Sequence, residues 1–402
     1  MAKLAVDGGP PVRDQFLIFG QPVLGQEEID EVVETLKSAW IGTGPRTQRF
    51  EKAFADYIGS GEALAINSCT AGLHLALLAC KVGLGDEVPV TALTFVASSN
   101  VIIHCGATPV FVDVDPRTLN LDLEDLERKI TRRTKAVMPV HFAGLPVDLA
   151  ALDAIVSPRG IKVVEDAAHA VGASINGRRI GSGKNLTAFS FYANKNMTTG
   201  EGGMLTADKL DADTLDYLAA MRLHGLSNDA WRRFHTKAMI QSEVVGAGYK
   251  YNMTDLQAAL GLHQLTRLEG FLEKREAIAA RYRRELADLP GVRFQEIPTH
   301  YGKLRHGLHL FVLLLDRKAF RVDRNAVVAA LRAENIGATV HYGSVPTHRY
   351  YRETFPDAHR GTPVANEVGD TILSLPLRPD FTDGDAADVI EAVRKVLQHY
   401  AR

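Results

Sequence analysis

Between about residues 61 and 208, short β-rich runs alternate with helical stretches, and this pattern places the chain in the α/β class. The runs are, in order, ALAINS, AGLHLALLACKV, DEVPVTALTF, TPVFVDVD, TKAVMPVHF, IKVVEDAA, LTAFSFYA and GGMLTAD. Such alternation predicts a mostly parallel sheet with helices on both faces. Ligand sites in such sheets lie at the carboxyl ends of the strands, so the polar residues found there become the candidates for function.

The pattern changes in the second half of the chain. YNMTDLQAALGLHQLTRLEGFLEKREAIAARYRREL predicts long helical segments. A second unit follows, with predicted strands in GLHLFVLLLD and GATVHYG, a helix over about 324–334 and a terminal helix capped by Thr382 or Asp383. At 402 residues the chain is long enough for two domains. We expect an N-terminal arm and large domain over 1–265 and a smaller C-terminal domain over 266–402.

Composition narrows the class of partner. The 46 Lys and Arg residues nearly balance the 48 Asp and Glu residues, which favours a small-molecule partner over nucleic acid or an anionic membrane. Cys69, Cys80 and Cys105 form no CxxC pair, so neither a disulfide framework nor a metal site is expected. The apolar run at 308–315 is too short to span a bilayer, and the first residues lack a signal-peptide pattern. We therefore expect a cytoplasmic protein.

The motif VVEDAAHAVGA places Asp166 where a buried strand ends. A carboxylate at this position suits a helix N-cap or a salt bridge. It also suits a partner for a cationic ring nitrogen, which a pyridoxal phosphate enzyme needs to keep its cofactor an electron sink. His169 follows three residues later and could cover or hydrogen-bond the same ring, although a lone histidine is more often part of the core.

Lys195 lies in SFYANKNMTTGEGGM, after a buried strand and before closely spaced glycines. A lysine on a loop is ordinarily a solvated charge. Here Ser190 can point into the same crevice, and the glycines that follow allow close approach of the backbone. A lysine desolvated in this way has its pKa lowered from about 10.4 and can form a Schiff base. Asp166 and Lys195 together are the two partners that pyridoxal phosphate requires.

A cradle for the cofactor's phosphate is predicted in NSCTAGLHLALLA, where a strand end and a polar turn lead into an apolar helix. Such a helix start directs backbone N–H groups at an anion, though ordinary Ser or Thr capping gives the same pattern. Phe95 offers a flat surface for a ring to stack on.

GRRIGSGKN is not a P-loop, because the spacing from Gly177 to Lys184 is one residue too long and Asn185 replaces the Ser or Thr. No GxGxxG follows the first strand.

With these residues in place, the chain resembles the DegT-type family of pyridoxal phosphate-dependent sugar aminotransferases, which have the aspartate-aminotransferase fold (fold type I). The likeness runs over nearly the whole length, from SAWIGTGPRTQRFEKAFADYIG through the motifs above and GYKYNMTDLQAALGLHQL to RYYRETFP and SLPL. Among members, the chain looks most similar to the enzymes that make UDP-4-amino-4-deoxy-L-arabinose. The resemblance implies a large, mostly parallel-sheet domain and a smaller C-terminal α+β domain.

The resemblance also implies roles for individual residues. Lys195 would form the Schiff base and move the proton between cofactor and substrate. Asp166 would hold the pyridine nitrogen, His169 would lie near the ring hydroxyl, and Phe95 would stack on the ring. The phosphate would be bound by Cys69, Thr70 and Ser190, helped by Asn252 from a neighbouring subunit. That last role implies a homodimer with shared active sites.

The substrate is less constrained by the resemblance. Departures at Tyr192, at Asn194 and in VHYGSVPTHRYY put the sugar in doubt. The predicted substrate contacts are Thr43, Tyr192, His309, His341 and Tyr342. L-Glutamate is the expected donor and a nucleotide-linked 4-keto pentose or 4-keto-6-deoxyhexose the expected acceptor. LAVDGGPPVR keeps open a glutamine-dependent enzyme acting on a keto-cyclitol. A dehydratase variant of this fold has histidine in place of the lysine, and a non-catalytic sensor remains a further alternative.

Overall fold

The computed structural model describes residues 3–227 and 243–402. In these ranges the α-helices are α1 Gln26–Lys37, α2 Pro45–Ile58, α3 Cys69–Ala79, α4 Ala97–His104, α5 Leu123–Lys129, α6 Leu149–Val156, α7 Ala212–Met221, α8 Asp255–Leu286, α9 Arg324–Ala333, α10 Arg349–Thr354, α11 Pro363–Thr371 and α12 Asp383–Tyr400. The strands are β1 Glu62–Ile66, β2 Glu87–Thr91, β3 Thr108–Val112, β4 Ala136–Val137, β5 Lys162–Asp166, β6 Ser174–Ile175, β7 Arg178–Arg179, β8 Leu186–Ser190, β9 Gly203–Ala207, β10 Val292–Phe294, β11 Leu304–Arg305, β12 Phe311–Leu315 and β13 Ile372–Leu375.

The large sheet has the strand order β1-β9-β8-β5-β4. A parallel bridge between Val90 and Met138 continues it to β2, which pairs in parallel with β3. β9 runs antiparallel to both of its neighbours, whereas β4, β5 and β8 are mutually parallel. The predicted α/β class and mostly parallel sheet are therefore confirmed.

Alternate residues of the central strands enter two different hydrophobic cores. Leu64 and Ile66 of β1 belong to one core, which α3 and α4 cover, while Ala65 between them belongs to the other core, which α2 and α8 cover. The period of two in side-chain direction along a strand produces this division. Because both faces are covered by helices, β8 is buried along its whole length and its carboxyl end is left as the open edge.

The predicted helical region after YNM is one continuous helix, α8. Thr254 caps it by accepting a hydrogen bond from the backbone N–H of Gln257, and the side chain of Gln257 accepts one from the N–H of Thr254. This reciprocal capping box fixes the start of the helix. α8 passes unbroken through the predicted boundary between 265 and 266, and that division of the chain stays a prediction.

The C-terminal unit is built on a three-stranded antiparallel sheet with β12 between β10 and β13. The predicted strand in GLHLFVLLLD is confirmed as β12, and the predicted helices are confirmed as α9 and α12, the latter capped by Thr382. The predicted strand in GATVHYG is wrong, since only Thr339 forms an isolated bridge, to Ser374. The reason is that Gly337 instead donates its N–H to Leu17 of the N-terminal arm.

The N-terminal arm packs against this C-terminal unit. Leu4 and Leu17 lie in the same hydrophobic core as β12, β13 and α12. Farther along the arm, the ring of Phe19 lies 5.0 Å from the ring of His341. The arm therefore leads to the edge of the pocket described next. Within the described ranges, no helix combines the length and apolar character needed to cross a membrane.

Candidate active site

A pocket of about 460 Å³ opens at the carboxyl ends of β5 and β8. It lies where the α/β topology predicts a ligand site, between the large sheet and the turn that precedes β12. Most residues selected from the sequence line it, namely Cys69, Thr70, Phe95, Asp166, His169, Ser190, Tyr192, Lys195, His309, His341 and Tyr342. The fold therefore brings together side chains that are as much as 273 residues apart in the chain, from Cys69 to Tyr342.

Asp166 is the last residue of β5 and is almost fully buried. One carboxylate oxygen accepts a hydrogen bond from Ser98 Oγ at 2.7 Å, and the other accepts one from the backbone N–H of Ala168 at 3.0 Å. Burial raises the pKa of Asp166, while these two hydrogen bonds oppose that shift. The carboxylate is thus held in one orientation, at a place where a cationic partner would compensate for its desolvation.

Lys195 follows β8, in a turn closed by a hydrogen bond from its backbone N–H to the carbonyl of Tyr192. Its side chain points into the pocket, and Nζ lies 3.2 Å from Nε2 of His309. Burial lowers the pKa of Lys195 to about 8, and the charges of Cys69 and Asp166 partly oppose that shift. A lysine with such a pKa has a substantial neutral fraction near neutral pH, as a nucleophilic amine needs.

A group of aromatic and imidazole rings forms the opposite wall. His169 Nε2 is hydrogen-bonded to the hydroxyl of Tyr342 at 3.1 Å, and the two rings are stacked. Phe95 lies 6.0 Å from Tyr342 between ring centres and is 58% exposed. Burial lowers the pKa of His341 to about 4, and it lowers the pKa of His169 far below its usual value. These histidines are therefore neutral near pH 7.

The third part of the pocket is the start of α3. Ser68 is the N-cap and accepts a hydrogen bond from the backbone N–H of Ala71. The first turn, at Cys69 and Thr70, leaves backbone N–H groups without intrahelical partners, which suits an anion. Gly203 lies against this turn so closely that a Cβ there would come within 2.8 Å of the Cys69 nitrogen. The glycine-rich stretch thus lets β9 approach the helix start.

Two predicted residues lie elsewhere. Thr43 and Asn252 do not line the pocket of the same chain; Asn252 Nδ2 donates a hydrogen bond to Thr43 Oγ1 at 2.5 Å, and Thr43 donates to the carbonyl of Met253. Asn252 also receives a hydrogen bond from Lys250. The prediction that Asn252 reaches a neighbouring subunit stays a prediction.

Sequence reasoning missed Ser98, the side chain that orients Asp166. The signal for it was weak, since VASSN holds two adjacent serines and only one contacts the carboxylate. Thr94, in the bend that follows β2, is hydrogen-bonded to Ser98, which lies four positions later in the first turn of α4. That spacing, directly after a strand end, is the feature that could have singled out Ser98.

The donor set fits pyridoxal phosphate. A buried carboxylate suits the protonated pyridine nitrogen, a desolvated lysine suits the aldehyde, and a helix start suits the phosphate. Buried nitrogens without a partner among the described residues, such as Nδ1 of His169, add polar groups that a ligand could satisfy. No part of this set needs to move for the three groups to face one cavity.

Comparisons with known proteins agree with the fold and the pocket. The solved structures that match this structure are pyridoxal phosphate-dependent aminotransferases of fold type I, one of them in its pyridoxal phosphate form. The protein is therefore a pyridoxal phosphate-dependent transaminase. Residues 22–394 match the DegT/DnrJ/EryC1/StrS aminotransferase family, and the chain belongs to that family. The resemblance drawn from the sequence motifs is confirmed.

Three relatives illustrate the match. The spore coat polysaccharide biosynthesis protein SpsC of Bacillus subtilis (strain 168) is 48% identical over 387 residues, covering 96% of this chain and 98% of SpsC. The putative sugar aminotransferase Spr1654 of Streptococcus pneumoniae, in its PMP form, has a TM-score of 0.89 at 33% identity, covering 95% of this chain and 99% of that one. Helicobacter pylori PseC, an aminotransferase involved in pseudoaminic acid biosynthesis, has a TM-score of 0.87 at 27% identity, covering 96% and 100%.

Proposed function

We propose that the protein transfers the amino group of L-glutamate to the keto group of a nucleotide-linked 4-keto sugar, either a UDP-4-keto-pentose or an NDP-4-keto-6-deoxyhexose. The observation that carries the proposal is the placement of Lys195 and Asp166 in one pocket, each at a strand's carboxyl end. Membership of a sugar aminotransferase family, and the named roles of SpsC and PseC in making glycans and amino sugars, support this acceptor class. The product would serve a surface polysaccharide or a related glycoconjugate, made in the cytoplasm.

Asp166 is the residue that keeps the cofactor active in this proposal. Pyridoxal phosphate, when bound, supplies an electron-withdrawing ring that takes up the electron pair of the bond broken at the substrate carbon. Asp166 holds a proton on the ring nitrogen by pairing its negative charge with it. Ser98 and the backbone of Ala168 keep the carboxylate turned toward the cavity. A buried carboxylate left without a cation is unfavourable, so this site also favours binding of the ring.

Lys195 would hold the cofactor covalently and would then move the proton. Its pKa of about 8 allows the same nitrogen to accept a proton and return it near neutral pH. Nζ would take the proton from the α-carbon of the donor and return it to the carbon of the cofactor that receives the amino group. Because the keto product of the donor would leave before the acceptor binds, the two half-reactions would follow ping-pong kinetics.

The remaining pocket residues orient and bind. The phosphate would be held by the first turn of α3, at Cys69 and Thr70, together with Ser190 from the end of β8. His169 would approach the ring hydroxyl, and Phe95 would cover a ring face. For the sugar, Tyr192 at the exposed mouth of the pocket and the pair His341 and Tyr342 are the proposed contacts.

We also propose that two chains form a homodimer and share their sites. Ile29, Val33 and Leu36 are exposed and lie on one face of α1, where a second copy of the chain would cover them. Thr43 and Asn252 would then serve the partner's pocket rather than their own. Mixing inactive Lys195→Ala chains with inactive Asn252→Ala chains should restore activity, because each hybrid dimer would hold one intact site. Continued inactivity of hybrids shown to form would exclude the sharing.

The test of the function is the visible absorption spectrum of the purified protein with pyridoxal phosphate. A visible band should form with wild type and be replaced by a band at shorter wavelength when L-glutamate is added. Lys195→Ala should fold, hold the cofactor only noncovalently and show neither change. Lys184→Ala is the matched control, because this lysine pairs with Asp153 on the surface and should behave as wild type.

Each outcome of that experiment has a distinct meaning. A band that forms without Lys195 would contradict the assignment of this lysine. A band that forms with wild type but responds to L-glutamine instead of L-glutamate would move the function to the glutamine-dependent alternative acting on a keto-cyclitol. Once the donor half-reaction is established, the amine-loaded protein should return to its original spectrum only with the true acceptor, which identifies the sugar.

A further inference from the structure

We propose that His309 is a positioning residue, whose Nε2 accepts a hydrogen bond from the amino group of Lys195 and holds that group ready for proton transfer whenever it is free of the cofactor. The inference deepens the proposed function and rests on it for the role of Lys195. It replaces the sequence-based expectation that His309 contacts the substrate. The observation behind it is the contact between the side chains of Lys195 and His309.

The contact itself has the geometry of a hydrogen bond. Nε2 of His309 lies 3.2 Å from Nζ of Lys195, and the histidine is only 5% exposed. The other ring nitrogen, Nδ1, is buried and has no partner among the described residues. A core histidine normally satisfies its ring nitrogens with fixed partners. Within residues 3–227 and 243–402, the only hydrogen-bond partner of the His309 ring is Lys195, the proposed catalytic residue.

The turn that carries His309 is held by hydrogen bonds within the chain. Leu308 has a φ of +47°, a conformation that an L-residue adopts only when its surroundings impose it. Its N–H donates to Nδ1 of His306 at 2.8 Å, and its carbonyl accepts from the buried guanidinium of Arg275. Arg275 also donates to the carbonyl of Leu377 at 2.7 Å. These bonds hold the backbone of the turn from which the imidazole of His309 reaches Lys195.

The same turn is tied directly to the loop of Lys195. Nδ2 of Asn196 donates a hydrogen bond to the carbonyl of Gly307 at 2.5 Å, and both Asn196 and Gly307 lie close in sequence to the pair. The N–H of His309 in turn donates to the carbonyl of Ala143. The bond from the Asn196 side chain to the Gly307 backbone, together with the contact between Lys195 and His309, joins the two loops and keeps Nζ and Nε2 close together.

The surrounding charges favour a neutral imidazole, which is the form that can accept. The ring faces Lys195 and Arg275 as cations, with the neutral rings of His169 and His341 nearby. Burial first, and then the charge of Lys195, lowers the pKa of His309 far below its usual value. A protonated imidazole would repel the lysine and offer no lone pair. His309 therefore holds the amine without competing for its proton.

The first experiment measures the pKa of Lys195 in the apoprotein, from the pH dependence of its acylation followed by mass spectrometry. His309→Phe keeps a ring of similar size but removes the acceptor, so the ammonium form loses a hydrogen bond and the pKa should fall by about one unit. His309→Gln retains an acceptor, so the pKa of Lys195 should stay close to that of wild type. His309→Leu provides a second apolar variant if His309→Phe does not fold.

His74→Phe is the matched control, because His74 is equally buried but is hydrogen-bonded to the hydroxyl of Tyr251 rather than to Lys195. The pKa of Lys195 should be the same in this variant as in wild type. An unchanged pKa in folded His309→Phe would overturn the proposal. This measurement uses neither cofactor nor substrate, so its result does not depend on whether L-glutamate is the donor.

The second experiment compares L-glutamate with L-glutamate deuterated at the α-carbon in the half-reaction of the holoenzyme. His309→Phe should lower kcat by about 10- to 100-fold with KM nearly unchanged, because a misplaced amine slows only the proton transfer. The isotope effect should rise in the same variant. A higher KM with an unchanged isotope effect would instead make His309 a substrate-binding residue and refute the positioning role.

Discussion

At the scale of single residues, Asp166 illustrates how burial and hydrogen bonding set the chemistry of a site. Its carboxylate is desolvated by the sheet, which raises its pKa, yet Ser98 and Ala168 donate hydrogen bonds that favour the charged form. The balance makes the side chain a strong partner for a cation arriving from the pocket. Neighbouring Glu165 points the other way and pairs with His141, so the two acids of one motif have separate tasks.

Replacing Asp166 with asparagine tests its role directly. Asp166→Asn removes the charge but keeps the shape, so the protein should fold while the donor half-reaction slows by on the order of 100-fold. Ser98→Ala removes only one hydrogen bond to the carboxylate and should have a much smaller effect. Stopped-flow absorption with L-glutamate measures both rates. Equal rates in Asp166→Asn and wild type would show that the carboxylate does not act on the cofactor.

At the scale of elements, α8 shows that the same residue type can have opposite effects in one helix. Gly261 lies where α8 crosses α2, and a Cβ there would come within 2.6 Å of the ring of Phe50. Gly270 lies nine residues later, and among the described residues a Cβ there would meet no atom within 4 Å outside the adjacent turns of its own helix. The first glycine permits close helix packing, whereas the second only adds conformational freedom to the unfolded chain.

The two glycines therefore form a matched pair of variants. Gly270→Ala should increase the free energy of unfolding by up to about 1 kcal/mol, because alanine favours helix more than glycine does. Gly261→Ala should decrease it by about 1 to 3 kcal/mol, since Phe50 or the helix must shift. Urea denaturation of both apoproteins gives the comparison. A destabilised Gly270→Ala or a stabilised Gly261→Ala would contradict the packing described for α8.

At the scale of the whole molecule, the contact between the large sheet and the C-terminal unit contains several buried histidines. Burial lowers the pKa of His306 to about 3 and that of His341 to about 4. In α3, burial likewise lowers the pKa of His74 to about 4. His169 and His309 have a pKa far below the usual value for the same reason. Each of these rings is neutral in the folded protein and protonated in the unfolded chain below pH 6.5.

This difference predicts how stability depends on pH. Between pH 6.5 and about 4, the unfolded chain binds more protons than the folded protein, so the free energy of unfolding falls as the pH falls. Each such histidine contributes up to about 1.4 kcal/mol per pH unit in this window. Urea denaturation of the apoprotein at several pH values measures the slope. His74→Phe removes one of these groups and should give a shallower slope; a slope equal to that of wild type would refute the assignment.

Local sequence determined the sheet class and the long helix, and it selected the candidate residues that line the pocket. Alternating runs fix the strands because a strand and an amphipathic helix have different hydrophobic periods. Asp166 and Lys195 could be selected because one ends a buried strand and the other lies in the loop after the next, and parallel strands place their carboxyl ends at one edge. Thr254 and Gln257 could likewise mark the start of α8, since a capping box is a local pattern.

Only the tertiary structure decided what depends on contacts between distant segments. GATVHYG has the composition of a strand, but Gly337 bonds to the N-terminal arm, a competition that no local pattern reveals. The separation of Thr43 and Asn252 from the pocket of their own chain is also a matter of tertiary packing. The pairing of Lys195 with His309 joins residues 114 positions apart through a turn held by Arg275. The sequence specifies these side chains. The distances between them follow from tertiary packing, and their pKa values follow from the burial that this packing produces.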